Sequence, residues 1–166
     1  GHGSAFRFTT RFGLPTHPTA SPQTPEPEAF GSRPGGLRIL LAEDEPVNRL
    51  VARRILERRG HEVMVAEDGR KTLELLHKRA FDVVVLDLQM PLIDGVAVAR
   101  LVRQGGVPGV APTLPLVAVT AYASRAEFAS SRGADFDAWV AKPYDFQSLI
   151  GAVARAIGRP ATAIVH

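Results

Sequence analysis

Short strand-like segments alternate with helix-like segments throughout the stretch from Leu37 to Gly158. The third strand-like segment, FDVVVLDL (81–88), is a nearly continuous run of β-branched and aliphatic residues, which is typical of a parallel strand buried on both faces. The other strand-like segments lie at 37–42, 61–66, 114–121 and 136–141, and helices are predicted at 46–60, 69–79, 94–104, 124–132 and 145–158. This strict alternation predicts an α/β fold in which helices cover both faces of a parallel sheet.

The first predicted helix is amphipathic. Its apolar side chains share one helical face, namely Val47, Leu50, Val51, Ile55 and Leu56. Basic residues with helical spacing accompany them, namely Arg49, Arg53, Arg54, Arg58 and Arg59. Although the chain is basic overall, with a net charge of +3, a solvated helix face explains this cluster, and we expect no binding to nucleic acid.

The composition changes sharply at Leu37. Six of the thirteen prolines lie in the first 36 residues, and proline at this density prevents both helices and sheets. We therefore expect an extended linker at 15–36, one domain at 37–158 and a C-terminal tail at 159–166.

Several classes of function are excluded by composition. Because the sequence has no cysteine, it cannot form disulfides or thiolate metal sites, and this fits a reducing cytoplasm. It contains no apolar run long enough to span a membrane and no signal-peptide pattern at its N-terminus. We expect no contact with a membrane.

Polar and charged residues lie at the carboxyl ends of four of the predicted strands, namely Glu43-Asp44-Glu45, Asp87, Thr120 and Lys142-Pro143. A single Asp at a strand end is usually a helix cap, and Asp44 alone could cap the helix that begins at Pro46. However, the carboxyl ends of parallel strands share one edge of the sheet, where ligands bind. The combination therefore predicts a site that holds several carboxylates, a hydroxyl and a lysine.

The chemistry of this residue set favours phosphoryl transfer. Clustered carboxylates need a cation at neutral pH, and oxygen ligands without His or Cys favour Mg²⁺ (or Mn²⁺) over zinc. Asp87 could then attack phosphorus as a nucleophile, while Lys142 and the Thr120 hydroxyl bind phosphoryl oxygens.

Four segments together resemble the receiver domain of two-component response regulators: ILLAEDEPVNR, VVVLDLQMPLIDG, LVAVTAYA and WVAKP. This resemblance covers 37–158 and implies a flavodoxin-like (βα)5 doubly wound parallel sheet with strand order 2-1-3-4-5. It also implies that Asp87 accepts a phosphoryl group from a phosphohistidine, either on a kinase domain in cis or on a histidine phosphotransfer protein.

The resemblance further implies a metal site. Asp44 would bind the metal directly and Glu43 would act through water. Asp87 and the backbone carbonyl of Gln89 would complete the protein ligands.

Roles in signalling are implied as well. Thr120 and Lys142 would bind the phosphoryl oxygens, and the Lys142–Pro143 bond would be cis. Phosphorylation would draw Thr120 inward, and Trp139 would follow as the switch. Gln89 and Tyr122 would control access of water and therefore the lifetime of the phosphoryl group.

The motifs EDEPVNR and DLQMP resemble the corresponding motifs of receiver domains that are fused to histidine kinases. The segment GHGSAFRFTTRFGLP resembles the last strand of the kinase ATP-binding domain, so that 1–14 would be a remnant of that domain. The chain itself would catalyse only its own phosphorylation and dephosphorylation. Its parent would be a histidine kinase, and the receiver would be cytoplasmic whether or not that kinase is anchored in a membrane.

Two other functions stay open. A phosphatase of the haloacid-dehalogenase type also uses a strand-end Asp, Mg²⁺, a hydroxyl and a lysine, but it carries a second Asp two residues after the nucleophile. That position is Gln89 here, and glutamine cannot transfer the proton. The other alternative is a receiver-like interaction module that is never phosphorylated.

Overall fold

The computed structural model describes residues 36–121 and 135–158. Within them lie the strands β1 (Arg38–Ala42), β2 (Glu62–Ala66), β3 (Val83–Asp87), β4 (Leu116–Thr120) and β5 (Ala138–Ala141), and the helices α1 (Pro46–Glu57), α2 (Gly69–Lys78), α3 (Gly95–Arg103) and α4 (Phe146–Ala156). The predicted kinase remnant, the linker up to residue 35, the helix at 124–132, Tyr122 and the tail lie outside the described residues. Across 36–121 and 135–158, no helix is both long and apolar enough to cross a membrane.

The five strands form one parallel sheet in the order β2-β1-β3-β4-β5. This order confirms the predicted flavodoxin-like topology. Because β1 and β3 are adjacent although β2 lies between them in sequence, the chain reverses its direction of winding there, which is where such sheets bind ligands.

Helices pack on both faces of the sheet, as predicted. Alternate residues of β1 enter different cores: Ile39 and Leu41 pack with residues of α1 and α4, whereas Leu40 and Ala42 pack with residues of α2 and α3. All five residues of β3 are buried, as expected for a strand covered on both sides.

The apolar face of α1 is only partly buried, contrary to the simplest interpretation of its pattern. Leu56 is fully buried against the sheet. In contrast, Val47, Leu50 and Val51 are 66%, 56% and 47% exposed. The N-terminal half of this helix therefore presents apolar side chains to solvent.

Aspartates define where two strands begin. Asp82 accepts a hydrogen bond from the backbone N–H of Arg38 at 2.7 Å, and Asp137 accepts one from that of Leu116 at 2.7 Å. Each aspartate also pairs with an arginine, Asp82 with Arg38 and Asp137 with Arg103. These side-chain bonds explain why β3 and β5 begin after the aspartate, later than the predicted 81 and 136.

Candidate functional site

Three carboxylates meet at the carboxyl edge of the sheet. Glu43 and Asp44 follow β1, and Asp87 ends the neighbouring β3. One ligand oxygen of each lies within 4.8 Å of the others. Glu43 and Asp87 are buried, at 1% and 3% exposure, so their charges are shielded from water and need another partner.

Glu45, and not Asp44, caps α1. The Glu45 side chain accepts a hydrogen bond from the backbone N–H of Val47 at 3.1 Å. Pro46 occupies the first turn of α1, where a backbone N–H would have no partner within the helix, so that the N–H which proline lacks is not missed. The carboxylate of Asp44 is therefore not used as the cap, and it remains at the edge of the acidic cluster.

Lys142 supplies the positive charge. Its Nζ donates to Glu43 Oε1 at 2.9 Å and to Asp87 Oδ2 at 2.5 Å. The side chain enters from the end of β5, next to β4, where its backbone N–H donates to the carbonyl of Thr120 at 2.7 Å. The lysine thus connects the ends of β1, β3 and β5.

Burial and mutual attraction shift the pKa values of this pair. Burial raises the pKa of Glu43, the charge of Asp87 raises it further, and the hydrogen bond from Lys142 only partly offsets these effects. Burial alone would lower the pKa of Lys142, but its hydrogen bonds to Asp87 and Glu43 outweigh burial and raise it. Lys142 is therefore charged at neutral pH.

The oxygens of the cluster fit a hard divalent cation. Glu43 Oε2 is buried, and within the described part of the chain no hydrogen-bond donor is directed at it, although Lys142 Nζ lies 2.9 Å away. A cation surrounded by carboxylates would compensate such an oxygen. The acidic cluster is thus compatible with Mg²⁺.

Asp87 is held on both carboxylate oxygens. Lys142 binds Oδ2, and the backbone N–H of Gln89 donates to Oδ1 at 3.0 Å. This bond keeps Gln89 beside the cluster, while the role of its carbonyl as a metal ligand stays a prediction. Thr120 is buried at the end of the neighbouring β4.

Two other predicted residues flank the site. The Lys142–Pro143 peptide bond is cis. Trp139 is partly buried and packs with Leu88, Val96 and Ala118, on the side of the sheet that α3 covers. Its role as a switch stays a prediction.

Asn48, Arg49 and Tyr144 also belong to the site, although the sequence assigned them no role. Asn48 donates to Glu43 Oε1 at 3.2 Å, and one guanidinium nitrogen of Arg49 donates to the carbonyls of Glu43 and Asp44. Burial and the nearby Glu43 raise the pKa of Tyr144 to about 12. Their position in the sequence could have indicated this, because Asn48 and Arg49 lie in the first turns of the helix after the acidic pair and Tyr144 lies two residues after Lys142.

Gly95 lets α3 begin directly against the phosphoacceptor candidate. A Cβ atom at this position would lie 2.2 Å from the carbonyl oxygen of Asp87. We expect Gly95→Ala to lower the free energy of unfolding by about 1–3 kcal/mol, because the backbone of Asp87 can move away from the added methyl group only by distorting the end of β3. Urea denaturation measures this change.

Gly151→Ala is the matched control for that substitution. Gly151 lies within α4, where an added Cβ would meet only the end of the flexible Arg155 side chain at 3.3 Å. Alanine should stabilise the helix there by roughly 0.5–1 kcal/mol. Equal effects of the two substitutions would contradict the close approach of Gly95 to Asp87.

The chain is similar in sequence to receiver domains of known signalling proteins. The family model described as "Response regulator receiver domain" matches residues 39–154. The sensor histidine kinase AruS from Pseudomonas aeruginosa is 36% identical over 121 residues, which are 73% of this chain and 11% of AruS. The response regulator MprA from Mycolicibacterium vanbaalenii is 35% identical over 114 residues, which are 69% of this chain and 47% of MprA. The chain thus spans less than half the length of these relatives.

Solved structures of receiver domains and response regulators are similar to this chain in both fold and sequence. The receiver domain of the sensor histidine kinase PA1611 from Pseudomonas aeruginosa, with a magnesium ion coordinated in its active-site cleft, has a TM-score of 0.64 and 28% identity, and the match covers 74% of this chain and 98% of that one. The response regulator TrrA from Thermotoga maritima, in complex with Mg²⁺-BeF, has a TM-score of 0.63 and 29% identity, covering 72% and 97%. Together with the parallel sheet and the acidic cluster at its edge, these matches show that the chain belongs to the response regulator receiver domain family of two-component systems.

Proposed function

We propose that Asp87 is the phosphoacceptor of this receiver domain. The observation that supports the proposal best is the position of its carboxylate, which lies buried at the end of β3, accepts a hydrogen bond from Lys142 Nζ and is close to the other two acidic residues. A carboxylate oxygen of Asp87 would form a bond to phosphorus while the phosphorus–nitrogen bond of a phosphohistidine breaks. The imidazole nitrogen would keep the electron pair of that bond.

The surrounding residues divide the remaining work. Glu43, Asp44, Asp87 and the Gln89 carbonyl would hold Mg²⁺, which when bound neutralises charge on the phosphoryl oxygens. Lys142 would exchange its present bond to Asp87 for one to a phosphoryl oxygen. Thr120 would donate its hydroxyl to another oxygen, and Trp139 would respond to that movement.

Incubation with acetyl phosphate and Mg²⁺, followed by intact-protein mass spectrometry, tests the proposal. We expect the mass of the protein to increase by that of one phosphoryl group. This adduct should not form when EDTA removes the metal. An unmodified protein at saturating acetyl phosphate and Mg²⁺ would instead support an interaction module that is never phosphorylated. Continuous release of p-nitrophenol from many equivalents of p-nitrophenyl phosphate would support a phosphatase.

The donor would be a protein domain that carries a phosphohistidine, in the parent chain or in a histidine phosphotransfer protein. Such a donor must bring its histidine within bonding distance of Asp87, so its surface must contact whatever surrounds the site. A cavity of about 400 Å³ there is lined by Val51 of α1 together with Lys142 and Tyr144. The exposed apolar residues Val47, Leu50 and Val51 would therefore form part of the contact with the donor.

Leu50→Glu should slow phosphorylation by a phosphorylated histidine phosphotransfer protein at least about tenfold, because it places a charge in an apolar contact. Phosphorylation by acetyl phosphate should be unchanged, because this small donor needs no contact with α1. Leu101→Glu, at a 36% exposed position on α3, is the control. Equal rates for wild type and Leu50→Glu with the protein donor would exclude this face of α1.

The similarity to AruS supports a histidine kinase as the parent protein. We infer that this chain is the receiver of such a kinase, acts in the cytoplasm, and has no independent catalytic turnover. The predicted ATP-domain remnant at 1–14 is consistent with this inference on sequence grounds alone.

A further inference from the structure

We propose that Arg49 is a positioning residue that holds the backbone of Glu43 and Asp44 in the conformation needed for Mg²⁺ binding. The inference rests on the proposed Mg²⁺-dependent phosphorylation of Asp87, and it assigns a function to the arginine in the EDEPVNR segment.

A single nitrogen of Arg49 connects both acidic residues to α1. Its guanidinium donates to the carbonyl of Glu43 at 2.9 Å and to that of Asp44 at 3.0 Å. These residues lie in the short loop between β1 and α1. Among the described residues, no backbone N–H donates to either of their carbonyls. The arginine therefore fixes two successive peptide planes from a rigid helix.

Asp44 depends on this arrangement more than Glu43 does. The side chain of Glu43 is bound directly by Lys142 and Asn48. For the Asp44 carboxylate, in contrast, no hydrogen bond or ion pair is found among residues 36–121 and 135–158. Its direction is consequently set by the backbone to which it is attached, and Arg49 holds that backbone.

Electrostatic repulsion makes such a restraint necessary. The three carboxylates have oxygens within 4.8 Å of one another, and like charges this close repel strongly where burial excludes water. Without Mg²⁺, the loop could relieve the repulsion by turning Asp44 away from the cluster. The bonds from Arg49 oppose that rotation, so that less reorganisation is needed when the metal binds.

Geometry and charge can be separated by two substitutions. Arg49→Gln removes the positive charge and shortens the donor, whereas Arg49→Lys keeps the charge but replaces the planar guanidinium by a flexible ammonium. If Arg49 acted only through its charge, Arg49→Lys would bind Mg²⁺ as well as wild type does. If it positions the loop, both variants should bind Mg²⁺ more weakly.

Isothermal titration calorimetry with Mg²⁺, on the complete chain without a phosphodonor, tests the inference directly. We expect about tenfold weaker binding for Arg49→Gln and a smaller but measurable weakening for Arg49→Lys, which is the scale of losses in groups that orient metal ligands. The rate of phosphorylation by acetyl phosphate should return to near the wild-type rate at saturating Mg²⁺. Arg53→Gln is the control, since Arg53 lies on the same helix but pairs with the partly exposed Glu57 at 2.6 Å.

Wild-type Mg²⁺ affinity in either variant, with Arg53→Gln also unchanged, would overturn the role of Arg49. Should Arg49→Gln fail to fold in EDTA, as judged by thermal unfolding, the charge-conserving Arg49→Lys decides alone. Failure of the proposed function itself has a different signature, because the wild-type protein would then form no phosphoryl adduct even at Mg²⁺ concentrations that saturate its metal site.

Discussion

Asp87→Asn should abolish the phosphoryl adduct that wild type forms with acetyl phosphate and Mg²⁺. The asparagine amide has nearly the same shape as the carboxylate but lacks a nucleophilic oxygen. Its single carbonyl oxygen can still accept the hydrogen bond from the backbone N–H of Gln89, and Glu43 remains as a carboxylate partner of Lys142, so we expect a folded protein. Intact-protein mass spectrometry measures the adduct, and circular dichroism confirms the fold.

Asp68→Asn is the matched control for the loss of one carboxylate. Asp68 caps α2 by accepting a hydrogen bond from the backbone N–H of Lys71 at 2.6 Å, and asparagine is an equally good cap. The control should be phosphorylated like wild type. An adduct that persists in Asp87→Asn would place the acceptor elsewhere and contradict the assignment.

The fold could be predicted because its main signals are periodic. The buried run of β3 and the alternation of strands and helices depend only on which residues prefer the interior. The exact ends of the strands could not be predicted in this way. Asp82 and Asp137 bind the first backbone N–H of a neighbouring strand, and such long-range side-chain bonds have no periodic signal in the sequence.

The apolar pattern of α1 shows a different limit. An apolar stripe predicts that a helix face avoids water, but it does not distinguish burial in the core from contact with another molecule. Leu56 packs in the core, whereas Leu50 is exposed to solvent. Only the direction in which α1 leaves the acidic loop decides which part of the stripe reaches the sheet.

The convergence of the site was predictable, but its supporting contacts were not. The ends of parallel strands must share one edge, so Asp87 and Lys142 were expected to meet. The cap of α1 could have been Asp44 or Glu45, because both are acidic and close to Pro46. The structure selects Glu45, and Arg49 reaches back to the loop only because α1 begins at that point.

The largest effect on stability is expected for Lys142→Met. This substitution leaves Glu43 and Asp87, whose side chains are 1% and 5% exposed, without their shared cation. Removing one partner of a buried ion pair typically lowers the free energy of unfolding by about 3–5 kcal/mol. Urea denaturation at pH 7 in EDTA should show a loss of this size, and Mg²⁺ should restore much of it by replacing the positive charge.

The stability of the same variant should depend more steeply on pH than that of wild type does. Burial and Asp87 already raise the pKa of Glu43, and loss of Lys142 removes a hydrogen bond that lowers it. Between the pKa of Glu43 in the unfolded chain, about 4.3, and its higher value in the folded protein, the folded state binds more protons than the unfolded state. Stability must therefore increase as the pH falls through this window.

Denaturation of Lys142→Met at pH 7, 6 and 5 in EDTA measures this dependence, and we expect the difference from wild type to shrink toward pH 5. Lys78→Met is the control, because Lys78 pairs with Glu74 on the exposed surface of α2 and should leave both stability and its pH dependence nearly unchanged. A Lys142→Met protein as stable as wild type at pH 7 without metal would mean that water or a changed position of the loop already compensates the two carboxylates. In that case Lys142 would not be the cation that holds the acidic cluster together.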